Sequence, residues 1–148
     1  MLTWEKQMSD FYRYFKENMD ELGLPAPESL FGSMQVALSN ATVFVTQLDK
    51  FGRRVTVGEL VGDGMRLERL GVAGALSASY YVGAVIGSIA VAAGRSLSGG
   101  ISLGDVLLLA RKNGLSRSWL VEDLRRWPGI YDKTKPGRRM YRLMVKRS

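Results

Sequence analysis

Three sets of side chains in this chain are spaced so that they could do chemistry. Gln35, Ser39, Thr42 and Thr46 recur at three- and four-residue steps, and Asp49 extends the row. Amide and hydroxyl groups in a row do no acid–base work near neutral pH, but they hydrogen-bond water and passing ions. Gly71, Ala75, Ser79, Gly83 and Gly87 fall at every fourth position. On a helix such positions lie nearly above one another and leave a smooth strip that a second helix can approach to backbone contact. The third set is cationic: Arg117, Arg125, Arg126, Lys133, Lys135, Arg138 and Arg139, which suit phosphate or carboxylate partners. Catalysis finds little to work with. The chain has no histidine and no cysteine, so the commonest general base, the commonest metal ligand and all thiol chemistry are missing. A P-loop, a nucleophile elbow and metal-ligand spacing are absent too. The expectation is a protein that is not an enzyme and uses no cofactor or metal.

The small-residue series lies in a longer stretch that must position it. From Leu70 to Gly94 there are 25 residues without a charge, between Arg69 and Arg95, and 15 of them are Gly, Ala or Ser. As one helix the stretch would reach roughly 37 Å, against a bilayer hydrocarbon core of about 30 Å. Its interior glycines cost roughly 0.8–1 kcal/mol each in helix stability, which close packing must offset. Lipid is one place where it does so. The other is the centre of a soluble domain, where an Ala/Gly-rich helix buried on all sides has the same pattern. A second charge-free run, residues 29–48, lies between Glu28 and Asp49. As a helix it places Gln35, Ser39, Thr42 and Thr46 on one side and Leu30, Met34, Ala37, Leu38, Ala41, Val45 and Leu48 on or near the other. The polar side is either a solvent face or the wall of a water-filled passage. Charged residues 49–69 join the two runs, with a Thr56–Glu59 capping box starting a helix near Val57 that can continue into the small-residue stretch. The layout is a helical hairpin able to hide in a bundle and open into a bilayer.

The rest of the chain is amphipathic. Residues 3–22 predict a helix with Trp4, Met8, Phe11, Tyr12, Phe15, Met19 and Leu22 on one face, stopped by Gly23 and followed by a Pro25–Pro27 corner. No secretory signal is present in it. Ser96–Gly100 predicts a flexible break between a helical domain over 1–95 and a basic module over 101–148. In the module, Ser102 caps one short helix that Gly114 ends, and Ser116 caps a second that ends at Pro128–Gly129. Ile130–Tyr131 and Met140–Val145 predict a β-hairpin about a turn at 133–137. Residues 1–94 hold eight basic and ten acidic side chains, and residues 95–148 hold thirteen and four. That asymmetry implies an anionic partner. The fold expected is mainly α: a helical bundle around a central Gly/Ala-rich helix, with a C-terminal helix-turn-helix plus hairpin of winged-helix type. Such a module opens an alternative reading, DNA contact through phosphates, although Glu122 and Asp123 lie on its second helix.

The Gly71-Ala75-Ser79-Gly83-Gly87 zipper in a small cysteine-free chain resembles the pore-forming effectors of bacterial type VI secretion, in particular the glycine-zipper group of pseudomonads. The resemblance rests on residues 70–94. It implies a toxin made in the cytoplasm and exported without a signal peptide on a hexameric tube protein as carrier. It further implies insertion in the inner membrane of a target cell, self-association there, loss of membrane potential by ion leakage with a leaning toward monovalent cations, and a cognate immunity protein.

Overall fold

The computed structural model of the chain describes residues 2–52, 54–61, 74, 76–94 and 101–145, with side chains left out at 2–9, 60 and 61. The element that organises the described residues is α5 (Ala78–Ala93), in which every residue from Ala78 to Ala92 is buried. An uncharged helix of small and β-branched residues has no face that prefers water, so amphipathic helices must surround it. The first of these is α1 (Leu2–Glu21), which turns Phe11, Phe15 and Met19 inward at four-residue steps and Asn18 with them. Gly23 ends the helix at φ 73, and the N–H of Leu24 reaches back 2.9 Å to the Met19 carbonyl. Two tyrosines fix the proline corner that follows: the Tyr12 hydroxyl donates to the Ala26 carbonyl at 2.7 Å and that of Tyr81 to the Pro25 carbonyl at 2.9 Å.

The charge-free run 29–48 is two helices, not one. A single turn, α2 (Glu28–Phe31), buries Phe31 against Phe15. Ser33 then caps α3 (Met34–Phe51) by accepting the Val36 N–H at 3.2 Å. Helix α3 lays Ala37, Ala41, Phe44, Val45 and Leu48 on the core, with Phe44 edge-on to Tyr81, and Gly52 ends it at φ 89. Met34, expected on the inner side, is exposed. The Thr56–Glu59 capping box forms as expected, with reciprocal bonds of 2.8 and 3.2 Å, and opens α4 (Val57–Val61).

A continuous helix over 57–94 or 70–94 does not form in the described part. Thr56 and Ser77 form an isolated antiparallel bridge instead: the Val57 N–H bonds the Leu76 carbonyl and the Ala78 N–H the Val55 carbonyl, both at 2.9 Å. Ser77 accepts the Tyr80 N–H and starts α5 there. The backbones cross closely beside this pair, for a Cβ on Gly58 would meet the Gly74 carbonyl oxygen at 2.9 Å. Part of the glycine content thus serves a crossing of chains.

Helix α6 (Leu103–Lys112) begins at a complete Ser102–Asp105 capping box and ends before Gly114, at φ 70. Helix α7 (Ser118–Arg126) buries Trp119, Leu120 and Leu124; its cap position is Arg117 rather than Ser116, with no side-chain cap. A 3-10 turn at Pro128–Ile130 follows. The expected hairpin is absent: no strand occurs among the described residues, and where its second arm was expected lie a 3-10 turn, Arg138–Met140, and α8 (Tyr141–Met144). Local geometry explains the difference. Gly137, at φ 71, turns the chain onto α1. Arg138 is buried there, and Tyr141 packs on Trp127 at 4.8 Å while its hydroxyl accepts the Gly129 N–H at 3.2 Å. Alternating burial along 140–145, which a hairpin arm requires, would undo those contacts. The fold is therefore a mainly α bundle of about eight helices among the described residues, and residues of 101–145 share one apolar core with those of 11–94.

Candidate functional site

The small-residue stripe of α5 is covered from within the molecule. Its described members are Ser79, Gly83 and Gly87; Gly71 and Ala75 lie outside the described residues. Gly83 faces α7, where an added Cβ would stand 3.8 Å from Leu120 and 4.0 Å from Asp123. Gly87 lies against Ile130, so closely that a Cβ would collide with the isoleucine side chain. Ser79 exchanges a 3.1 Å hydrogen bond with Ser77. The strip that sequence reasoning offers to a second helix thus receives α7 and the 3-10 turn after it, a segment called the cover below.

The cover is fastened at its edges by charge. At one end the Arg117 guanidinium donates to both Asp49 oxygens, with contacts of 2.8–3.2 Å. The pairing holds the Asp49 carboxyl below its ordinary value and raises Arg117. At the other end the cations that follow the cover reach the last turns of α1. Lys133 donates to Glu17 at 3.0 Å, Arg138 to Glu21 at 2.6 Å, and Arg139 to the Asp20 carbonyl at 3.1 Å. Beneath them Asn18 joins three parts of the fold. Its amide donates to Ser88 of α5 at 2.8 Å and to the Ile130 carbonyl at 2.9 Å, while its oxygen accepts from Arg138. Buried and fully bonded, this group fixes the register of cover, α5 and α1.

Neither Asn18 nor Ser88 was singled out from the sequence. The usable signal was an amide three residues after Phe15 and four before Leu22, in the apolar stripe of α1, where a buried polar side chain must have a partner. Two tyrosines of α5 are also buried. Desolvation pushes both hydroxyls well above the ordinary tyrosine range, so they stay neutral. The Tyr80 hydroxyl makes no hydrogen bond among the described residues, and its ring meets Trp127 edge-on at the cover.

The other sequence sites are placed differently. Gln35, Ser39, Thr42 and Thr46 are all exposed on the outer side of α3, as the spacing requires, and are not brought to the stripe of α5. The Thr42 and Thr46 hydroxyls bond back to carbonyls of their own helix at 2.9 and 2.8 Å, so they demand less of water. Of the seven cations, Arg125, Arg126, Lys133, Lys135 and Arg139 are exposed, Arg117 is half-buried and Arg138 is buried; Arg117, Lys133, Arg138 and Arg139 bond to the body. Helix α5 extends about 24 Å, and no described helix is long and apolar enough to cross a membrane. No family model, curated protein or solved structure matches the chain.

Proposed function

We propose that the protein is an antibacterial pore-forming toxin whose folded form holds a membrane-active helix under a removable cover. What supports this is one observation: an uncharged helix, buried from Ala78 to Ala92, presents its small-residue stripe to a segment clamped by surface ion pairs. Such pairs have a high dielectric around them and are open to competition by other anions. Anionic headgroups offer the cations of 117–139 that alternative. Once the cover lifts, Val82, Val85, Ile86 and Ile89 lose little in lipid that they would lose in water. Helix α5 is shorter than the bilayer core, but the uncharged sequence continues upstream to Leu70 and supplies the missing length. Stripes from several copies then pack together, and Gln35, Ser39, Thr42 and Thr46 offer polar groups to ions. The proposal carries the consequences of the class resemblance: export on a hexameric tube protein, action at the inner membrane of a target cell, and a cognate immunity protein.

Duplex DNA binding has less behind it. Its wing has no strand among the described residues, and four of its seven cations are engaged with the body.

The chain has no cysteine, so one introduced at Ala84 reports on α5 alone. The Ala84→Cys thiol is expected to resist maleimides in solution and to react with a lipid-soluble maleimide, but not a charged one, once the protein is bound to anionic vesicles. A thiol that stays protected from both reagents on vesicle-bound protein rules the reading out.

A further inference from the structure

We propose that the last helical turn of the described chain is the foot by which the protein first docks on an anionic phospholipid bilayer. Met140, Leu143 and Met144 are 51 %, 47 % and 60 % exposed. Their i, i+3, i+4 spacing puts them on one side of the turn formed by 138–144. Tyr141, on the opposite side, is buried against Trp127 and bonded to Gly129, which holds the apolar trio outward. Lys135 and Arg139 are exposed in the same segment, and residues 133–145 contain five cations and no carboxylate. Exposed apolar side chains in a segment that has cations and no carboxylate of its own match the boundary between anionic headgroups and acyl chains. The long, unbranched methionines adapt to its irregular packing. Nucleic acid would satisfy the cations and leave the trio in water. A second copy, placed face to face, would set these cations against their like.

The inference rests on the membrane reading above but concerns docking, so its test separates the two. Full-length protein is sedimented with vesicles of phosphatidylglycerol and phosphatidylethanolamine or of phosphatidylcholine alone, and leakage of trapped dye is read in parallel. The wild-type protein should sediment with the anionic vesicles. The triple variant Met140→Ser, Leu143→Ser, Met144→Ser should lose at least about tenfold in partitioning. Lys135→Gln should lose about fivefold. All four side chains are exposed, so both variants should melt as the wild type does. Wild-type partitioning by both variants overturns the docking role, as does salt-dependent duplex DNA binding by a protein that ignores anionic vesicles. Undiminished leakage from the triple variant also overturns it and leaves the pore reading standing. Trio-dependent sedimentation without leakage supports the foot and removes the pore.

Discussion

Gly83 and Gly87 have the same place in the sequence pattern and different surroundings in the fold. At Gly83 a methyl group meets neighbours at ordinary contact distance, and at Gly87 it strikes Ile130, which is fully buried and branched at Cβ. Gly83→Ala is therefore expected to stabilise the folded protein by about 0.5–1 kcal/mol through helix propensity. Gly87→Ala should destabilise it by about 1–3 kcal/mol through overpacking. Urea denaturation of the two variants checks the sign of each. The periodicity alone could not separate these positions, because one stripe can serve a neighbouring copy or the molecule's own C-terminal segment. Asn18 was hidden for a related reason: its partners are 70 and 112 residues away in the chain. By contrast, the polar row of α3 could be read correctly from spacing alone, since burial of Ala37, Ala41, Phe44, Val45 and Leu48 on one side dictates what faces out.

Among elements, local chemistry was the most readable. The Thr56–Glu59 box, the Ser102 cap, and the stops at Gly23 and Gly114 are short-range events that neighbouring residues decide. The start of α5 and the missing hairpin depend on distant backbone instead, on residues 55–57 for the first and on α1 and Trp127 for the second. The fastening of the cover yields two tests. Asp49 has its pKa lowered from an ordinary 3.8, chiefly by the hydrogen bond from Arg117. A group depressed in the folded state stabilises above its unfolded value and loses that contribution as pH falls through its folded value. The stability gap between wild type and Asp49→Asn should thus be constant from neutral pH down to about 4 and close as pH falls further. Chemical melts at stepped pH measure it. At the other edge, Glu17→Gln with Glu21→Gln removes the carboxylates facing Lys133 and Arg138 and spares every cation. This variant should release dye from anionic vesicles faster than the wild type, and a slower release would argue against an ion-pair clamp.

The whole molecule stores an apolar, uncharged helix in water by surrounding it with amphipathic ones. Its charge is divided in the same sense, with a near-neutral body and a basic C-terminal third that lies on carboxylates of α1 and α3. On the proposed reading the cations serve twice, first as fasteners to the body and then as contacts to lipid. The transition so proposed is an exchange of one set of anionic partners for another. The most direct test is the membrane potential of liposomes. Vesicles containing phosphatidylglycerol are given a potassium diffusion potential, read with a voltage-sensitive dye, and exposed to purified full-length protein. The potential should collapse in these vesicles and persist in phosphatidylcholine vesicles. A potential that holds in phosphatidylglycerol vesicles carrying bound protein would contradict the proposal that the covered helix opens a path for ions.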